Sequence, residues 1–394
     1  ELREELISLG HTFNSNTDTE VLLKAYTEWG SSVLNRLNGM FAFAIYTKST
    51  GNLFIARDRY GVKPLYYFFE QGNFIFASEI KSILSHNIVK AIPEENVIGK
   101  FLLTGALNDS SSTFFSGIHS LQPGHFLEVN SGKIQITKWY LFESKEVNPS
   151  LPHNYSESVK RLSHLFYDSV KIRLRSDVEV GACLSGGMDS SAIVGAISDI
   201  SENKTQNNSG SFKTFSAVFS DPNISEEKFV DEVTEFTETD NYSFYPDNKI
   251  FWKSISNLIR HNDEPIQSPS VYIQWSVMEA AKKEGIKVTL DGQGADELAA
   301  GYPAYFSVYL AQLLRELKIK LFIKNFKDIT SKTGEGRTTV SLLLRVIYIL
   351  LPSSFLKLLA HIPFLRFFMK GNSLTSLINK NYSKNWINSA LDHQ

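Results

Sequence analysis

The sequence contains a single cysteine, Cys183, among its 394 residues. A single cysteine excludes an intramolecular disulfide and a metal site with several cysteine ligands. This cysteine usage is typical of a reducing compartment, and we expect a cytoplasmic protein. The nine histidines show no zinc-ligand spacing coupled to Cys, Asp or Glu, and we interpret them as ordinary buried histidines.

An excess of charge of one sign is also missing, because 40 basic and 42 acidic residues give a net charge of −2. No global field therefore attracts nucleic acid or an anionic membrane, and any bound anion must be held by local groups. We expect no nucleic-acid partner.

Long apolar runs are absent as well. The most apolar stretch, residues 340–368, is interrupted by charged residues and prolines, so no run approaches the ~20 residues of a membrane-spanning helix. We therefore expect no transmembrane span and interpret the stretch as buried helices. The alternative is a pair of helices lying on a membrane surface, since Arg and Lys recur there beside large apolar residues.

The chain is too long for one ordinary domain of roughly 100 to 200 residues, and its 42% hydrophobic content is too high for disorder. Residues 1–145 consist mainly of short β-type runs separated by turn signals. One helix is predicted from Asp18 to Trp29, and Gly30 follows where its periodicity stops. These features predict an α+β layered domain over residues 1–145.

A second pattern begins after residues 143–154, which show no periodicity and mark the predicted domain boundary. Over residues 150–305, buried strands alternate with amphipathic helices, which predicts right-handed crossovers and a mostly parallel sheet. Residues 306–394 are predicted to form a helical extension.

The strongest chemical signal is a buried strand, residues 178–184, that runs into the Ser/Gly-rich segment 185–191 and then a helix. Glycines let backbone N–H groups approach an anion, and the first turn of a helix offers unpaired donors. The segment supplies no lysine, so it is not a GxxxxGK[ST] loop. Because Asp189 would repel a phosphate, it predicts a Mg²⁺ ion between them.

A second glycine-rich turn, residues 291–301, follows another short strand. Both turns lie at the carboxyl ends of parallel strands, so they are expected to face one crevice. Asp189 and Asp296 could then hold one Mg²⁺ with the nucleotide phosphates. The alternative for Asp296 and Glu297 is a pair of helix-capping side chains.

Residues 185–191 resemble the pyrophosphate-binding loop of the ATP pyrophosphatases. Together with residues 12–21, 37–44, 56–67, 76–81, 263–270 and 288–302, they make the chain similar to glutamine-hydrolysing asparagine synthetases over roughly residues 1–305. The resemblance implies an amino-terminal-nucleophile hydrolase (αββα) domain, here partial, that belongs to the class II glutamine amidotransferases. It implies an α/β adenine-nucleotide hydrolase-like synthetase domain after it.

The reaction implied by the resemblance converts L-aspartate, L-glutamine and ATP into L-asparagine, L-glutamate, AMP and pyrophosphate. It implies ATP and Mg²⁺ as cofactors and an ammonia tunnel between two sites. Asp18 would bind the α-amino group of glutamine, and Asp189, Gln293 and Asp296 would serve catalysis. The implied ATP-binding residues are Cys183, Ser185, Gly186, Gly187, Asp189, Ser190, Ser191, Ala217, Asp291 and Gly292, with backbone atoms near Cys183 and Ala217 reading adenine.

Three positions depart from the family's pattern. Asp291 stands where serine is common, Gln293 stands where many members have glutamate, and Ala299-Ala300 replaces Phe-Gly. Glutamine keeps hydrogen-bonding reach but removes a charge, so either the substrate is not aspartate or a neighbour compensates. Aspartate is the family default, and a carboxylate of surface-polymer or secondary-metabolite synthesis is the alternative.

The family's glutaminase nucleophile, an amino-terminal cysteine, its substrate-binding arginine and its Asn-Gly oxyanion pair would all precede Glu1. Nothing after Tyr302 matches the family's later motifs. We therefore expect an incomplete copy, truncated at both ends and inactive alone. Cys183 cannot replace the nucleophile and is interpreted as a small buried residue.

Two rival functions remain open. A nucleic-acid-modifying pyrophosphatase would use the same loop, but the sequence has no basic stripe or catalytic thiol to support it. An inactive membrane-associated scaffold would account for the apolar helices after Val340. A homodimer is compatible with the sequence, which does not determine the oligomeric state.

Overall fold

The computed structural model describes residues 1–142, 154–202, 212–221, 224–332 and 336–352. The described residues form two compact units: 1–142 with 254–271, and the described parts of 154–253 and 272–352. The predicted boundary at 143–154 and the helical extension after Pro352 lie almost entirely outside the described residues.

The first unit contains two antiparallel sheets with strand orders β1-β2-β6-β7 and β4-β3-β5. Its strands are β1 Ala42–Thr47, β2 Asn52–Arg57, β3 Tyr66–Glu70, β4 Asn73–Ala77, β5 Ile118–Ser120, β6 His125–Asn130 and β7 Lys133–Lys138. Its helices are α1 Leu2–Ser8, α2 Asp18–Trp29, α3 Ile80–Leu84 and α4 Glu95–Thr104, with a 3-10 helix at Gly30–Asn35.

Strand β2 separates two hydrophobic layers of the first unit because successive side chains point to opposite faces of a sheet. Phe54 and Ala56 pack with residues of α1 and α2, whereas Ile55 packs with Leu65 and Tyr67 of the second-sheet region. Further along, Phe68 of β3 packs with α3 through two fully buried isoleucines, Ile80 and Ile83. The layers therefore follow the order helix, sheet, sheet, helix, which confirms the predicted α+β layering.

The second unit contains a four-stranded sheet of order β10-β9-β8-β11, and every pairing in it is parallel. This confirms the predicted parallel sheet. Its strands are β8 Val180–Cys183, β9 Lys213–Ala217, β10 Asp240–Phe244 and β11 Val288–Leu290. The helices are α5 Tyr155–Arg173, α6 Met188–Glu202, α7 Glu227–Thr237, α8 Asn248–Asn262, α9 Ser270–Lys283, α10 Ala295–Ala299, α11 Pro303–Arg315, α12 Ile319–Lys332 and α13 Gly336–Leu350; α8 and α9 each begin or end in the first unit.

Two hydrophobic clusters cover the sheet of the second unit. One joins Ala182 of β8 and Leu290 of β11 to α5, α6 and α7. The other packs Val277 and Ala281 of α9 with Phe215 of β9. The β8 end that continues into residues 184–187 is thus fixed by packing with helices and by its neighbours β9 and β11.

The last described helices, α11, α12 and α13, pack around their own cluster. The interpretation of the apolar stretch as buried holds only in part, because Val346 is fully buried while Leu344 is 52% exposed. Within the described ranges, no helix has the length and apolarity needed to cross a lipid bilayer.

Candidate active site

The loop that follows β8 is organised by Ser190. Its hydroxyl accepts a hydrogen bond from the Ser185 N–H at 3.2 Å and lies 3.1 Å from the Ser185 hydroxyl. It also donates to the Gly187 carbonyl at 3.2 Å, and Ser190 is only 5% exposed. Ser190 therefore closes the loop from inside, and the exposed Ser185 takes part in this closure because its hydroxyl accepts a hydrogen bond from the Gly187 N–H at 3.2 Å.

The tight turn at Gly186 requires glycine for two reasons. Its φ of +83° is a conformation that other residues rarely adopt. A Cβ atom at this position would lie 2.9 Å from the Glu226 carbonyl oxygen and 3.1 Å from the Phe229 Cβ atom. The segment before α7 and its first turn thus support the loop, a contact that the sequence analysis did not foresee.

Helix α6 begins at Met188, directly after the loop, so its first N–H groups have no intrahelical acceptor. The side chain of Asp189 lies in this first turn and is half-buried. Unpaired N–H groups and the positive end of the helix dipole favour an anion at this position. Residues 185–191 therefore form a glycine turn that runs directly into a helix start, and anion binding by this segment stays a prediction.

The second glycine-rich turn lies against the first. A Cβ atom on Gly292 would be 3.1 Å from the Asp189 Cβ atom and 3.2 Å from the Ser190 backbone nitrogen. The pairing of β11 with β8 produces this approach, because the two parallel strands end at the same edge of the sheet. The structure therefore brings Asp291 and Gly292 to Asp189 and Ser190, within one unit.

Helix α10 carries Asp296 in its first turn, after Gly294 in the left-handed conformation. The start of this helix has no side-chain capping hydrogen bond, so the capping interpretation of Asp296 and Glu297 gains no support. The Glu297 carboxylate instead accepts a hydrogen bond from the Tyr302 hydroxyl at 3.0 Å. A Cβ atom on Gly301 would overlap the Asp296 carboxylate, so glycine makes room for that side chain.

Gln293 is exposed and held by its backbone, since its N–H donates to the Asp291 carboxylate at 3.0 Å. Its amide side chain is thus free to meet a ligand from the loop that carries Gly292. The catalytic role assigned to it by resemblance stays a prediction.

Two carboxylates, Asp189 and Asp296, are the predicted protein ligands of a divalent cation. No group of three or more His, Cys, Asp or Glu residues with metal-binding geometry occurs in the described part of the chain. Mg²⁺ usually takes one or two carboxylates and completes its shell with phosphate and water oxygens. Two carboxylates are a donor set that suits Mg²⁺ bound together with a nucleotide, and the joint coordination of one ion by Asp189 and Asp296 stays a prediction.

Cys183 ends β8 immediately before the loop. Burial raises the pKa of its thiol to about 11, the Thr289 hydroxyl opposes this rise, and the negative Asp291 adds to it. A thiol with this pKa is a poor nucleophile at neutral pH. Cys183 is half-buried rather than fully buried, and its raised pKa supports the interpretation that it is not a nucleophile.

Ala217 ends β9, the other neighbour of β8, and both Ala217 and Cys183 pack against the cluster formed with α9. Their backbone atoms lie at the same edge of the sheet as the two loops. This arrangement is compatible with recognition of adenine by the backbone atoms of these two residues, which stays a prediction.

Asp18 belongs to the first unit and is the first residue of α2. The Thr17 hydroxyl accepts a hydrogen bond from the Glu20 N–H at 3.3 Å, and the Glu20 carboxylate accepts from the N–H groups of Asn14 and Ser15. These reciprocal bonds fix the helix start and hold Asp18 at its end. Its role in binding glutamine stays a prediction.

Arg57 and Asp58, in segment 56–67, form side-chain hydrogen bonds with backbone groups of the first unit. Asp58 is 2% exposed, and its carboxylate accepts hydrogen bonds from the N–H groups of Tyr60, Val62 and Lys63. The charged pattern of this segment is therefore explained by a turn that needs a buried acceptor.

The second unit is an α/β structure in which glycine turns follow two neighbouring parallel strands and one of these turns leads into the helix that starts at Met188. Two family models match the chain: a glutamine amidotransferase domain over residues 1–140 and asparagine synthase over residues 161–361. The chain therefore belongs to the asparagine synthase family.

Three relatives illustrate this membership. A putative glutamine-hydrolysing asparagine synthetase 2 of Methanocaldococcus jannaschii is 32% identical over 84% of this chain and 62% of its own length. Glutamine-hydrolysing asparagine synthetase 1 of Bacillus subtilis is 33% identical over 77% of this chain and 46% of its own length. The amidase chyE of Penicillium rubens is 31% identical over 76% and 45%. The chain spans about half the length of the curated relatives it matches.

Proposed function

We propose that the protein is an ATP-dependent amide ligase of the glutamine-hydrolysing asparagine synthetase type. The observation that carries this proposal is the approach of Gly292 to Asp189 and Ser190. It joins an anion-binding loop to a carboxylate-bearing turn, which is the arrangement needed to hold a nucleotide triphosphate with a cation.

In the proposed reaction, a carboxylate oxygen of the substrate attacks the α-phosphorus of ATP. The bond between that phosphorus and the β-phosphate oxygen breaks, and pyrophosphate leaves with the electron pair. Ammonia then attacks the carbonyl carbon of the acyl-adenylate, loses a proton and expels AMP. The protein contributes by holding the reactants in line and by stabilising the charge that develops on phosphorus.

Each part of the candidate site has a task in this reaction. The N–H groups of Gly186 and of the start of α6 would bind phosphate oxygens, and the backbones of Cys183 and Ala217 would contact adenine. Asp189 and Asp296 would hold Mg²⁺, which neutralises phosphate charge when it is bound. Gln293 would orient the reacting carboxylate by hydrogen bonding.

The first unit would supply ammonia by converting glutamine and water into glutamate and ammonia. The observed helix, sheet, sheet, helix layering is compatible with an amino-terminal-nucleophile hydrolase fold, and Asp18 would bind the α-amino group of glutamine. A half-buried Cys183 with a raised thiol pKa does not serve as the nucleophile. A reducing, cytoplasmic location is part of this proposal, because the sequence holds one cysteine.

The acceptor carboxylate is aspartate in the proposal, with another carboxylate as the second candidate. The exposed amide of Gln293 favours the second candidate, because an amide cannot complement an ammonium group as a carboxylate can. The relative named as an amidase of Penicillium rubens is compatible with a different acceptor in this family.

The test is ATP–pyrophosphate exchange by the protein at its natural full length, with aspartate and with a panel of other carboxylates. Asp189→Asn should lower exchange by about 100-fold or more, because it removes a charged ligand at the site of phosphoryl transfer. Asp177→Asn is the matched control: it makes the same change at an exposed residue before β8 and should leave exchange intact. Equal exchange in both variants would refute the proposed site, and exchange only with a carboxylate other than aspartate would select the second acceptor.

A further inference from the structure

Helix α13 exposes large apolar side chains along one face. Five of them are 43% to 60% exposed: Val340, Leu343, Leu344, Ile347 and Tyr348. Their spacing of three and four residues places them on the same face of the helix. A different face packs into the cluster formed with α11 and α12, where Val346 is fully buried. Helix α13 is therefore apolar toward the cluster and also toward solvent.

Helix α12 carries a stripe of exposed lysines. Lys320, Lys324 and Lys327 follow the spacing of one helix face, and all three side chains are exposed. They form no ion pair with any residue that the structure describes. The Lys318 ammonium, by contrast, lies 2.7 Å from the Glu316 carboxylate. The stripe therefore presents three positive charges that the described residues do not neutralise.

Apolar residues of α12 lie next to this stripe. Ile319 and Ile323 are 47% and 49% exposed, and each directly precedes a lysine of the stripe. Phe322 and Phe326 pack into the cluster shared with α11 and α13. Asp328 is the single acidic residue of the helix. Exposed apolar residues and unpaired lysines thus occur together in one small helical bundle.

The charge of this part of the chain differs from that of the whole. Residues 315–352 contain eight basic and three acidic residues, although the complete sequence holds 40 basic and 42 acidic ones. Residues 353–391 add five basic residues and no acidic one. The net charge of −2 therefore hides a local positive excess, and residues 353–391 offer no side-chain carboxylate that could neutralise it.

An anionic phospholipid surface complements both features. Its negative headgroups attract lysines, and the acyl chains below them accept apolar side chains. A second copy of the chain fits less well, because a symmetric dimer uses the same surface on both subunits and would bring the positive charges together. A nucleic acid would attract the lysines but leave the apolar face of α13 in water.

We propose that α12 and α13 form a surface that binds anionic phospholipid membranes. The exposed face of α13 enters the boundary between headgroups and acyl chains, and the lysines of α12 contact lipid phosphates. The helices lie on the membrane and do not cross it. The cytoplasmic leaflet carries the required negative charge. The inference does not depend on the proposed reaction, because the surface contains no residue of the candidate active site.

The test is co-sedimentation of the protein at its natural full length with vesicles. One set contains equal parts of phosphatidylglycerol and phosphatidylcholine, and the other contains phosphatidylcholine alone. Binding to the anionic vesicles should be at least about tenfold tighter. It should weaken with added salt, because the Debye length falls from about 10 Å at 0.1 M to about 3 Å at 1 M. No binding to the anionic vesicles, or equal binding to both sets, would overturn the proposal.

Two combined variants separate the apolar and the charged contributions. Leu344→Ser with Ile347→Ser removes apolar contacts, and Lys320→Gln with Lys324→Gln and Lys327→Gln removes three positive charges. Each variant should bind the anionic vesicles about tenfold more weakly than the wild type. Thermal unfolding checks that the substitutions, all at exposed positions, leave the fold intact.

Matched controls make the same changes elsewhere in the second unit. Leu162→Ser with Leu165→Ser alters α5 residues that are 69% and 55% exposed. Lys160→Gln with Lys171→Gln and Lys253→Gln removes three exposed lysines of α5 and α8. Both controls should bind vesicles like the wild type. Equal weakening in the controls and in the α12 and α13 variants would overturn the assignment of the surface to these helices.

Two further measurements identify a different partner for the same surface. Sedimentation velocity would reveal a dimer that dissociates in the Leu344→Ser and Ile347→Ser variant. A duplex DNA probe would reveal binding that is lost in the lysine variant. Either result without binding to anionic vesicles would overturn the membrane proposal. Anionic vesicles should also slow amide hydrogen exchange in residues 340–350 and leave residues 180–202 unchanged, and the absence of this difference would contradict contact through α13.

Discussion

The shape of the loop at residues 185–191 depends on the absence of a Cβ atom at Gly186. Replacing it by alanine adds a Cβ atom 2.9 Å from the Glu226 carbonyl oxygen at a φ of +83°. We expect Gly186→Ala to reduce the free energy of unfolding by about 1–3 kcal/mol and to abolish measurable ATP binding, because the loop must shift away from α7. Urea unfolding and calorimetric titration with Mg·ATP measure the two effects.

Gly195 provides a matched control in the same segment of chain. It lies within α6, and a Cβ atom there would meet nothing within 4 Å. Gly195→Ala should be neutral or stabilise the protein by about 0.5–1 kcal/mol, because alanine loses less backbone entropy in a helix. If both alanine variants bound ATP like the wild type, the close approach at Gly186 would have no role in ligand binding.

At the scale of an element, α2 depends on hydrogen bonds before its first turn. The Ser15 hydroxyl, followed by the N–H groups of Asn14 and Ser15, lowers the pKa of the Glu20 carboxyl from 4.5 to about 2. A lowered pKa in the folded state stabilises the fold above pH 4.5, and this stabilisation is lost as the pH falls from 4.5 toward 2. Glu20→Gln should therefore lower the thermal midpoint at pH 7, with a difference from wild type that shrinks steadily below pH 4.5.

Thermal unfolding of both proteins between pH 7 and pH 3 measures this difference. Glu95→Gln is the control, since Glu95 is an exposed carboxylate in the first turn of α4. The affinity of the protein for glutamine should also fall when α2 is destabilised, because Asp18 is the first residue of this helix. A Glu20→Gln effect that did not change with pH would show that the carboxylate charge is not what stabilises the helix.

At the scale of the whole molecule, the helices and strands that could be predicted from the sequence are those marked by residues within or next to them. The capping residues and Gly30 bound α2 correctly, and the apolar run at Val288–Leu290 is a strand as expected. Strand β10 was not predicted, because Asp240–Phe244 is short and mostly polar, with only Tyr242 and Phe244 as apolar residues. This strand is stabilised by its neighbour β9, with which it pairs, and Tyr242 stacks on Phe215 with ring centroids 5.5 Å apart.

The candidate site was predictable for a related reason. Glycine-rich segments directly after strands can be recognised in the sequence, and the carboxyl ends of parallel strands lie at the same edge of a sheet. The turn at Asp263 and Glu264 carries no such signal, because the N–H donors that these two carboxylates accept from lie about 150 to 180 positions earlier in the chain. The five-residue helix α3 is likewise too short for periodicity to reveal, and its cap comes from residue 263.

The division into two units predicts where a nucleotide stabilises the protein. A ligand that binds only the folded second unit should raise its opening free energy by about 2.7 kcal/mol at a concentration of 100 times Kd. We expect Mg·ATP to slow amide hydrogen exchange in residues 180–202 and 288–302 and to leave residues 42–57 and 125–138 unchanged, because opening free energies differ between parts of a structure. The Asp189→Asn variant should lose this protection. Equal protection of both sets of peptides would contradict a nucleotide site contained in the second unit, and protection of neither set would contradict ATP binding by the loop at 185–191.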